Sequence, residues 1–435
     1  MKKLVVLAIV FASAVSCVDS EYTEVIEVEK SNESVSSENV DAIPIDEALS
    51  ALDRVLMQID PPTRGFCRKV GKVVTISKER MFGASSRSAS DVPEGDLLYV
   101  VNFEKNSGYA ILGANNKFDS VIMIGDLGKF DDSVFDDDYD DSQDLPDSLR
   151  VTYADLYCEE DNEYYLGNNN TGNVTGDLVK DYMRIRTDFH KDDDFGGDDG
   201  GGVAIIHPLL KTLWHQHAPF NLYFHSAPAS DTNNPGRRPA GCTTIAAAQI
   251  ITCLKNLSLE DKFGITTSTW QEIEDIDLGN FMITNYEIQD VASMIKQMAD
   301  GIGVRYNFMA SGGTFATPQK VKKYLEWLGY DVTKYLGCKE KISDKIVKSL
   351  EIGNPVFIGA LASNFSGHAW VIDGYMSNLD KPRFMHCNFG WQGDSNGWYV
   401  YSVFNSTDGT RLLDDKDLDN KNFNYSWWYR TLIIE

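Results

Sequence analysis

Basic residues are scarce in this chain: 40 Lys and Arg stand against 65 Asp and Glu over 435 residues, for a net charge of −25. Polyanion binding rests on Lys and Arg displacing counterions, so nucleic acid is excluded as an expected partner. Cysteine is sparse too, with seven residues at 17, 67, 158, 242, 253, 338 and 387 and no Cys-x-x-Cys pair. An odd, scattered set supports neither a dense disulfide framework nor a zinc ribbon, and leaves at least one thiol free. No His-Glu-x-x-His occurs, and beyond the N-terminal segment no apolar run approaches the roughly 18 residues that a membrane helix needs. The chain does contain 43% apolar and 11% aromatic residues, ample for one or two packed cores.

Lys2 and Lys3 precede the apolar run Leu4 to Ala12 and the small residues Ser13 and Ala14, the order of a secretory signal. Export is therefore expected, with residues 1–16 as the signal. Ala12-Ser13-Ala14 fits ordinary secretion, whereas Ala14-Val15-Ser16-Cys17 resembles a bacterial lipoprotein box in which Cys17 is lipidated and becomes the N-terminus. A lone Cys between an apolar run and a polar stretch favours the second. The expected location is the outer membrane or cell surface, held only by that lipid, with soluble secretion as the alternative.

Residues 17–44, rich in Glu, Ser and Asn, read as a solvated tether. Ile45 to Ile59 carries apolar residues at helical spacing, and Leu97 to Val101 with Tyr109 to Leu112 predict two strands joined across Asn106-Ser107-Gly108. Together they make a small α+β unit. Nine Asp and no Lys or Arg lie between Asp131 and Asp147, and five Gly with five Asp fill His190 to Gly202. The second segment is the expected domain boundary, which places one unit with its acidic linkers in residues 45–203 and another in residues 204–435. All eight Trp and six of the seven His fall in the latter. Its predicted helices are Thr243 to Leu254, Tyr286 to Asp300 and Pro318 to Trp327. The β-branched and aromatic runs PVFIGAL, HAWVIDGY, RFMHCNFGW and WYVYSVF predict one antiparallel sheet, giving an α+β class overall.

Cys242 follows Gly241 and opens the helical run TTIAAAQI, where free N–H groups favour thiolate. Peptide cleavage also needs a proton delivered to the leaving amine, a task for a His. His368 in SGHAWVIDGY, at the head of a predicted strand, is the candidate. Each has a plain structural reading, a small core Cys and a packed His. Asn388 lies in the next apolar run, where a hairpin return would set its amide against the imidazole, with Trp391 as a shield from water. That is the nucleophile, base and orienter order of a papain-like triad. Gln216, upstream in LWHQHAPFN, would join the Cys242 N–H in an oxyanion hole.

The segments HPLLKTLWHQHAPFN, GCTTIAAAQI, MADGIGVRYNF, GHAWVIDGY and HCNFGWQGDSNGWY, in that order, resemble those of the streptopain family of bacterial cysteine peptidases. The resemblance implies a papain-like two-layer domain, helical part plus antiparallel sheet, and an endopeptidase working through a Cys242–His368 dyad. Gln216 would be the oxyanion donor, and Asn388 with Trp391 would support the His. It further implies a zymogen whose propeptide, within residues 45–203, inhibits the enzyme until it is removed. A substrate-cleft loop would include Ser311, Gly312 and Gly313. Peptides or proteins would be substrates, with an apolar side chain filling the subsite one residue before the cleaved residue. Two positions depart from the family pattern: Phe389, where Trp is usual, and Gln392, where Gly is usual. No cofactor or metal is needed, and a monomer is expected.

Three alternatives compete. His215 and His217, with His207 or His225, form a weak metal pattern. A surface binding protein with the same fold but no chemistry is the non-enzyme alternative, and the joint presence of Cys242, His368, Gln216 and Asn388 counts against it. An amidase or acyltransferase would share the acyl-enzyme and differ in the final nucleophile.

Overall fold

The computed structural model describes residues 41–60, 68–82, 92–130, 204–227, 236–276, 282–306, 314–338, 340–362, 367–377, 383–401, 404–405 and 424–435. Cys17, the tether up to residue 40, the acidic run from Asp131, the Asp/Gly-rich segment and the Ser311 to Gly313 loop lie outside the described residues. Two compact units divide the described chain: residues 41–124 with 128–130, and residues 125–127 with 204–435.

In the first unit, α1 (Ile45–Ile59) buries Ala48, Ala51, Leu52, Val55, Leu56 and Ile59, one stripe at three- and four-residue spacing. Strand β1 (Val70–Ser77) leads into the one-turn helix α2 (Lys78–Phe82), and then β2 (Asp96–Phe103) pairs antiparallel with both β1 and β3 (Tyr109–Gly113). The predicted hairpin is present, its turn made by Glu104–Asn106 with Lys105 and Asn106 both at φ 56°. The short strand β4 (Met123–Gly125) follows.

The second unit sets helices against an antiparallel sheet, the expected α+β arrangement. It opens with β5 (Ile205–Ile206), followed by α3 (Cys242–Leu254), α4 (Leu259–Phe263), α5 (Trp270–Glu274) and α6 (Tyr286–Ile302). The small ribbon β6 (Arg305–Tyr306) and β7 (Thr314–Phe315) precedes α7 (Pro318–Leu328), β8 (Val332–Leu336) and α8 (Glu340–Glu351). The sheet is completed by β9 (Val356–Ala362), β10 (Gly367–Ser377), β11 (Arg383–Asn388), β12 (Gly397–Val400), β13 (Phe404–Asn405) and β14 (Asn424–Ile434). Its order runs β12-β11-β10-β9-β14-β13, with β5 on β10 and β8 on β14. The three predicted helices are present to within two residues. Strand β14 and helix α8 carried no prediction, although β14 is the partner of β9.

Helix α3 is buried from Thr243 to Thr252 without a break. A helix apolar on all sides belongs in a core, and α3 packs on β9, β10, α5, α6 and α7. Of the other described cysteines, Cys387 is buried, and Cys253 and Cys338 are partly so.

On the sheet, Asp373 of β10 and His386 of β11 meet at 2.6 Å (Oδ1 to Nδ1), and His386 Nε2 lies 2.9 Å from Asp126, a residue of the same unit. Asp373 also anchors the stretch that leads toward the site, accepting the Leu210 N–H on Oδ2 (3.1 Å) and the Leu209 N–H on its carbonyl (2.9 Å). Burial disfavours the imidazolium, but the charges of Asp373 and Asp126 outweigh it and raise His386 from 6.5 to about 10. A group whose pKa is raised by folding stabilises the fold fully below its unfolded value and loses that contribution as pH climbs to its folded value. Asp373→Asn should therefore cost about 3 kcal/mol at neutral pH, as for a broken buried pair. In denaturant titrations its deficit against the parent chain should be largest below pH 6.5 and shrink toward pH 10; a deficit independent of pH would contradict the pairing.

Candidate active site

The turn into α3 sets the position of Cys242. Gly241 has φ 92°, a region that L side chains rarely adopt, and a Cβ there would lie 2.9 Å from Thr314 Cγ2. Thr314 Oγ1 donates to the Pro239 carbonyl at 2.8 Å, so β7 braces this turn, immediately after the loop that holds Ser311 to Gly313. Ala240 donates its N–H to the Gln216 carbonyl at 2.8 Å, which ties Gln216 to the chain two residues before Cys242.

Packing of α3 on β10 brings the nucleophile candidate to the head of the strand where His368 stands. The backbone N–H of Ala369, next to His368, is directed at the Cys242 sulfur, as are the N–H groups of Thr243 and of Cys242 itself. These three donors favour thiolate, as the helix N-terminus predicted. Burial of the sulfur nevertheless wins and raises the thiol pKa, even though the residue as a whole keeps partial exposure. His368 is buried as well, which lowers it to about 4 against the opposing effect of its hydrogen bond to the Phe389 carbonyl. Both shifts favour the neutral pair, thiol and imidazole, over thiolate and imidazolium.

His368 Nε2 lies 2.8 Å from the Phe389 carbonyl oxygen. A carbonyl only accepts, so Nε2 carries the proton and the lone pair is on Nδ1, the atom able to take a proton from a thiol. The expectation that Asn388 holds the imidazole by its amide is corrected here. Asn388 Nδ2 donates to the Thr212 carbonyl at 2.9 Å, and Oδ1 accepts the Gly390 N–H at 3.0 Å. Alternation along β11 turns the amide toward the 207–216 stretch, and the backbone one residue on meets the ring instead. Phe389 itself is pinned by its N–H donating to Asn396 Oδ1 at 2.9 Å.

Aromatic rings enclose His368. The Trp391 ring is 4.3 Å away, with Tyr425 at 5.6 Å, Phe389 at 5.9 Å and Trp370 at 6.2 Å. Trp391 is the nearest of these rings. Phe389 fills the position of the usual Trp by stacking on both His368 and Trp391, the latter at 5.5 Å. Gln392 occupies φ 60°, the left-handed region where the family's usual Gly sits without strain, at a cost of about 1–2 kcal/mol. Its N–H lies 3.3 Å from the Trp214 carbonyl.

Residues 214–399 match the Peptidase C10 family. This segment belongs to that family, the streptopain family of papain-like cysteine peptidases. The chain is 21% identical to streptopain of Streptococcus pyogenes over 385 residues, 78% of this chain and 84% of that protein. It is 22% identical to the thiol protease/hemagglutinin PrtT of Porphyromonas gingivalis over 390 residues, 80% of this chain and 40% of that protein. Among solved structures, a prointerpain A fragment of Prevotella intermedia superposes with a TM-score of 0.48 at 17% identity, covering 77% of this chain and 94% of that one. Active interpain A superposes at 0.40 with 20% identity, covering 52% and 94%.

Of the alternative metal residues, His215 and His217 have ring centroids 6.1 Å apart. Burial, then the neighbouring His217, lowers His215 to about 4, while His225 packs edge-on against Tyr306. The C10 segment contains functional groups that residue type does not reveal: the Ala369 N–H, the Phe389 carbonyl and Asn396. Of these only Asn396 has a side chain in play, in a Gly-rich turn where Asn is ordinary.

The raised thiol pKa of Cys242 makes a definite expectation about reactivity. The iodoacetamide rate at Cys242 in the intact chain, followed by peptide mass mapping, should be low at neutral pH and climb as pH passes the ordinary thiol value of 9.0. A rate plateau from about pH 5 to about pH 8 would mean an ion pair and would overturn the neutral assignment.

Proposed function

We propose that this chain is the exported precursor of a cysteine endopeptidase, made active by removal of its N-terminal segment. The carrying observation is the convergence of Cys242 and the His368–Ala369 stretch: the sulfur receives the Ala369 N–H, and the adjoining imidazole has its lone pair on Nδ1. In the intact chain thiol and imidazole are both neutral, a state of low nucleophilicity that suits a precursor.

In the proposed reaction the Cys242 sulfur attacks a peptide carbonyl while its proton passes to His368 Nδ1. The imidazolium so formed keeps its Nε2–H on the Phe389 carbonyl, whose negative end favours the charge. The oxyanion is received by the Cys242 N–H and the Gln216 side chain. His368 then returns the proton to the departing amine, leaving a thioester on Cys242. Water, deprotonated by the same Nδ1, attacks that thioester and releases the carboxylic acid and the thiol. Trp391 excludes water from the Nε2 side. The chemistry draws on side chains and backbone alone, and the substrates are proteins or peptides, with Ser311, Gly312 and Gly313 on the cleft. The N-terminal signal and Cys17 carry the protein out of the cytoplasm and anchor it by lipid.

Incubated under reducing conditions, the full-length chain should lose its N-terminal segment and cleave casein, with a thiol-directed epoxide blocking both and labelling Cys242. Cys242→Ala should lower cleavage at least about ten-thousandfold and stop self-processing. Persistent cleavage by the purified variant would rule out that nucleophile. Separately, Cys17→Ser should move the protein from membranes to the soluble fraction of expressing cells, and a parent chain that is already soluble would rule out the anchor.

A further inference from the structure

Within the Ala- and Ile-rich helix α3, Gln249 is a polar side chain with no exposure. A buried primary amide has to place two N–H groups and an oxygen, or cost stability. Gln249 Oε1 accepts the Thr212 hydroxyl at 2.9 Å and lies 3.4 Å from the Trp214 N–H, and Nε2 donates to Asn388 Oδ1 at 3.3 Å. The orientation of both amides follows from backbone groups that cannot change role. The Thr212 carbonyl only accepts, so it takes Asn388 Nδ2, and the Gly390 N–H only donates, so it takes Asn388 Oδ1. Gln249 must then turn its N–H to Asn388 and its oxygen to Trp214.

The far end of this chain of bonds is the dyad. The N–H held by Asn388 Oδ1 and the carbonyl that holds His368 Nε2 are the two ends of one peptide group, Phe389–Gly390. A planar trans peptide fixed at its N–H has its carbonyl direction fixed too. At Gly390 φ is 69°, and a Cβ there would meet Ile245 Cγ2 of α3 at 3.1 Å, so the turn also touches the nucleophile's helix directly.

We infer that Gln249 is a positioning residue of the reaction, tying the helix that carries Cys242 to the peptide that orients His368 through Asn388. Gln249 touches neither dyad member. Seven residues separate it from Cys242, two helical turns on one face, so any shift of α3 against β11 must break the Gln249–Asn388 bond. The inference rests on the peptidase assignment above for its kinetic consequence, and on the hydrogen bonds alone for its structural one.

The test uses Gln249→Met, which keeps length and packing but removes the amide, together with Asn388→Ala and the double variant in the full chain activated under reducing conditions. Thr252→Val serves as control, since it removes a buried hydroxyl on the same helix that has no partner among the described residues. Below the melting range of every variant, Gln249→Met should lower kcat roughly three- to tenfold, as for one neutral hydrogen bond, and leave KM within about twofold. The double variant should be no slower than Asn388→Ala, and Thr252→Val should match the parent. Multiplicative losses in the double variant, or a parent-like kcat in Gln249→Met, would overturn the inference. A second readout works without turnover: in ¹⁵N-histidine spectra of the full chain, Gln249→Met should shift the His368 nitrogen signals and Thr252→Val should not. If the parent cleaves nothing, the peptidase assignment falls, and these spectra still decide the coupling, unmoved His368 signals refuting it.

Discussion

From Thr243 to Thr252 helix α3 has no wet face, and most of the site follows from that constraint. A buried amide that finds no partner costs stability, so on this helix Gln249 bonds Thr212 and Asn388 instead of water. The same burial delivers Cys242 to the sheet, because the helix packs on β10 and its first residue meets the head of that strand. At Gly241 and Gly390 the backbone comes close to Thr314 and to Ile245, with φ in the region that favours glycine. Loosening the helix would disturb Cys242, the Thr212–Trp214 stretch and the support of His368 together.

Electrostatically the site is a contest between solvation and local dipoles. Three N–H groups around the Cys242 sulfur favour charge, and desolvation of the sulfur exceeds them. His368 faces the same balance from the other side, with one carbonyl favouring the imidazolium and a box of aromatic rings opposing it. The outcome contrasts with His386, equally buried, where two carboxylates reverse the sign. Burial favours the neutral form of one imidazole, and two carboxylates favour the charged form of the other, which fastens β10, β11 and the stretch that leads to Gln216.

Departures from the family pattern are absorbed by packing. Phe389 supplies a flat ring in place of an indole and keeps contact with His368 and Trp391, while its backbone carbonyl, which any residue has, does the orienting. Gln392 accepts left-handed backbone instead of glycine. Neither change touches the atoms around which proton transfer would occur.

Helices α1, α3, α6 and α7 and the strands from β9 to β12 were readable because their signals are local: apolar spacing, β-branched runs and Gly or Pro at the ends. Residue type also pointed to Cys242, His368, Gln216 and Trp391. Strand β14 and helix α8 were not picked out, and β14 draws its partners from β8, β9 and β13, segments tens of residues away. The role of Asn388 was misplaced because its distance from the imidazole depends on strand alternation and on which backbone groups of the 207–216 stretch lie opposite. Sequence by itself determined which residues are candidates for the chemistry and which helices and strands carry them, since those follow from composition and short-range pattern. Only the tertiary structure decided that the thiol and imidazole are neutral, that a carbonyl orients the ring, and that Gln249 joins helix to turn. Each of these depends on burial or on a hydrogen bond between distant residues, which spacing along the chain does not encode.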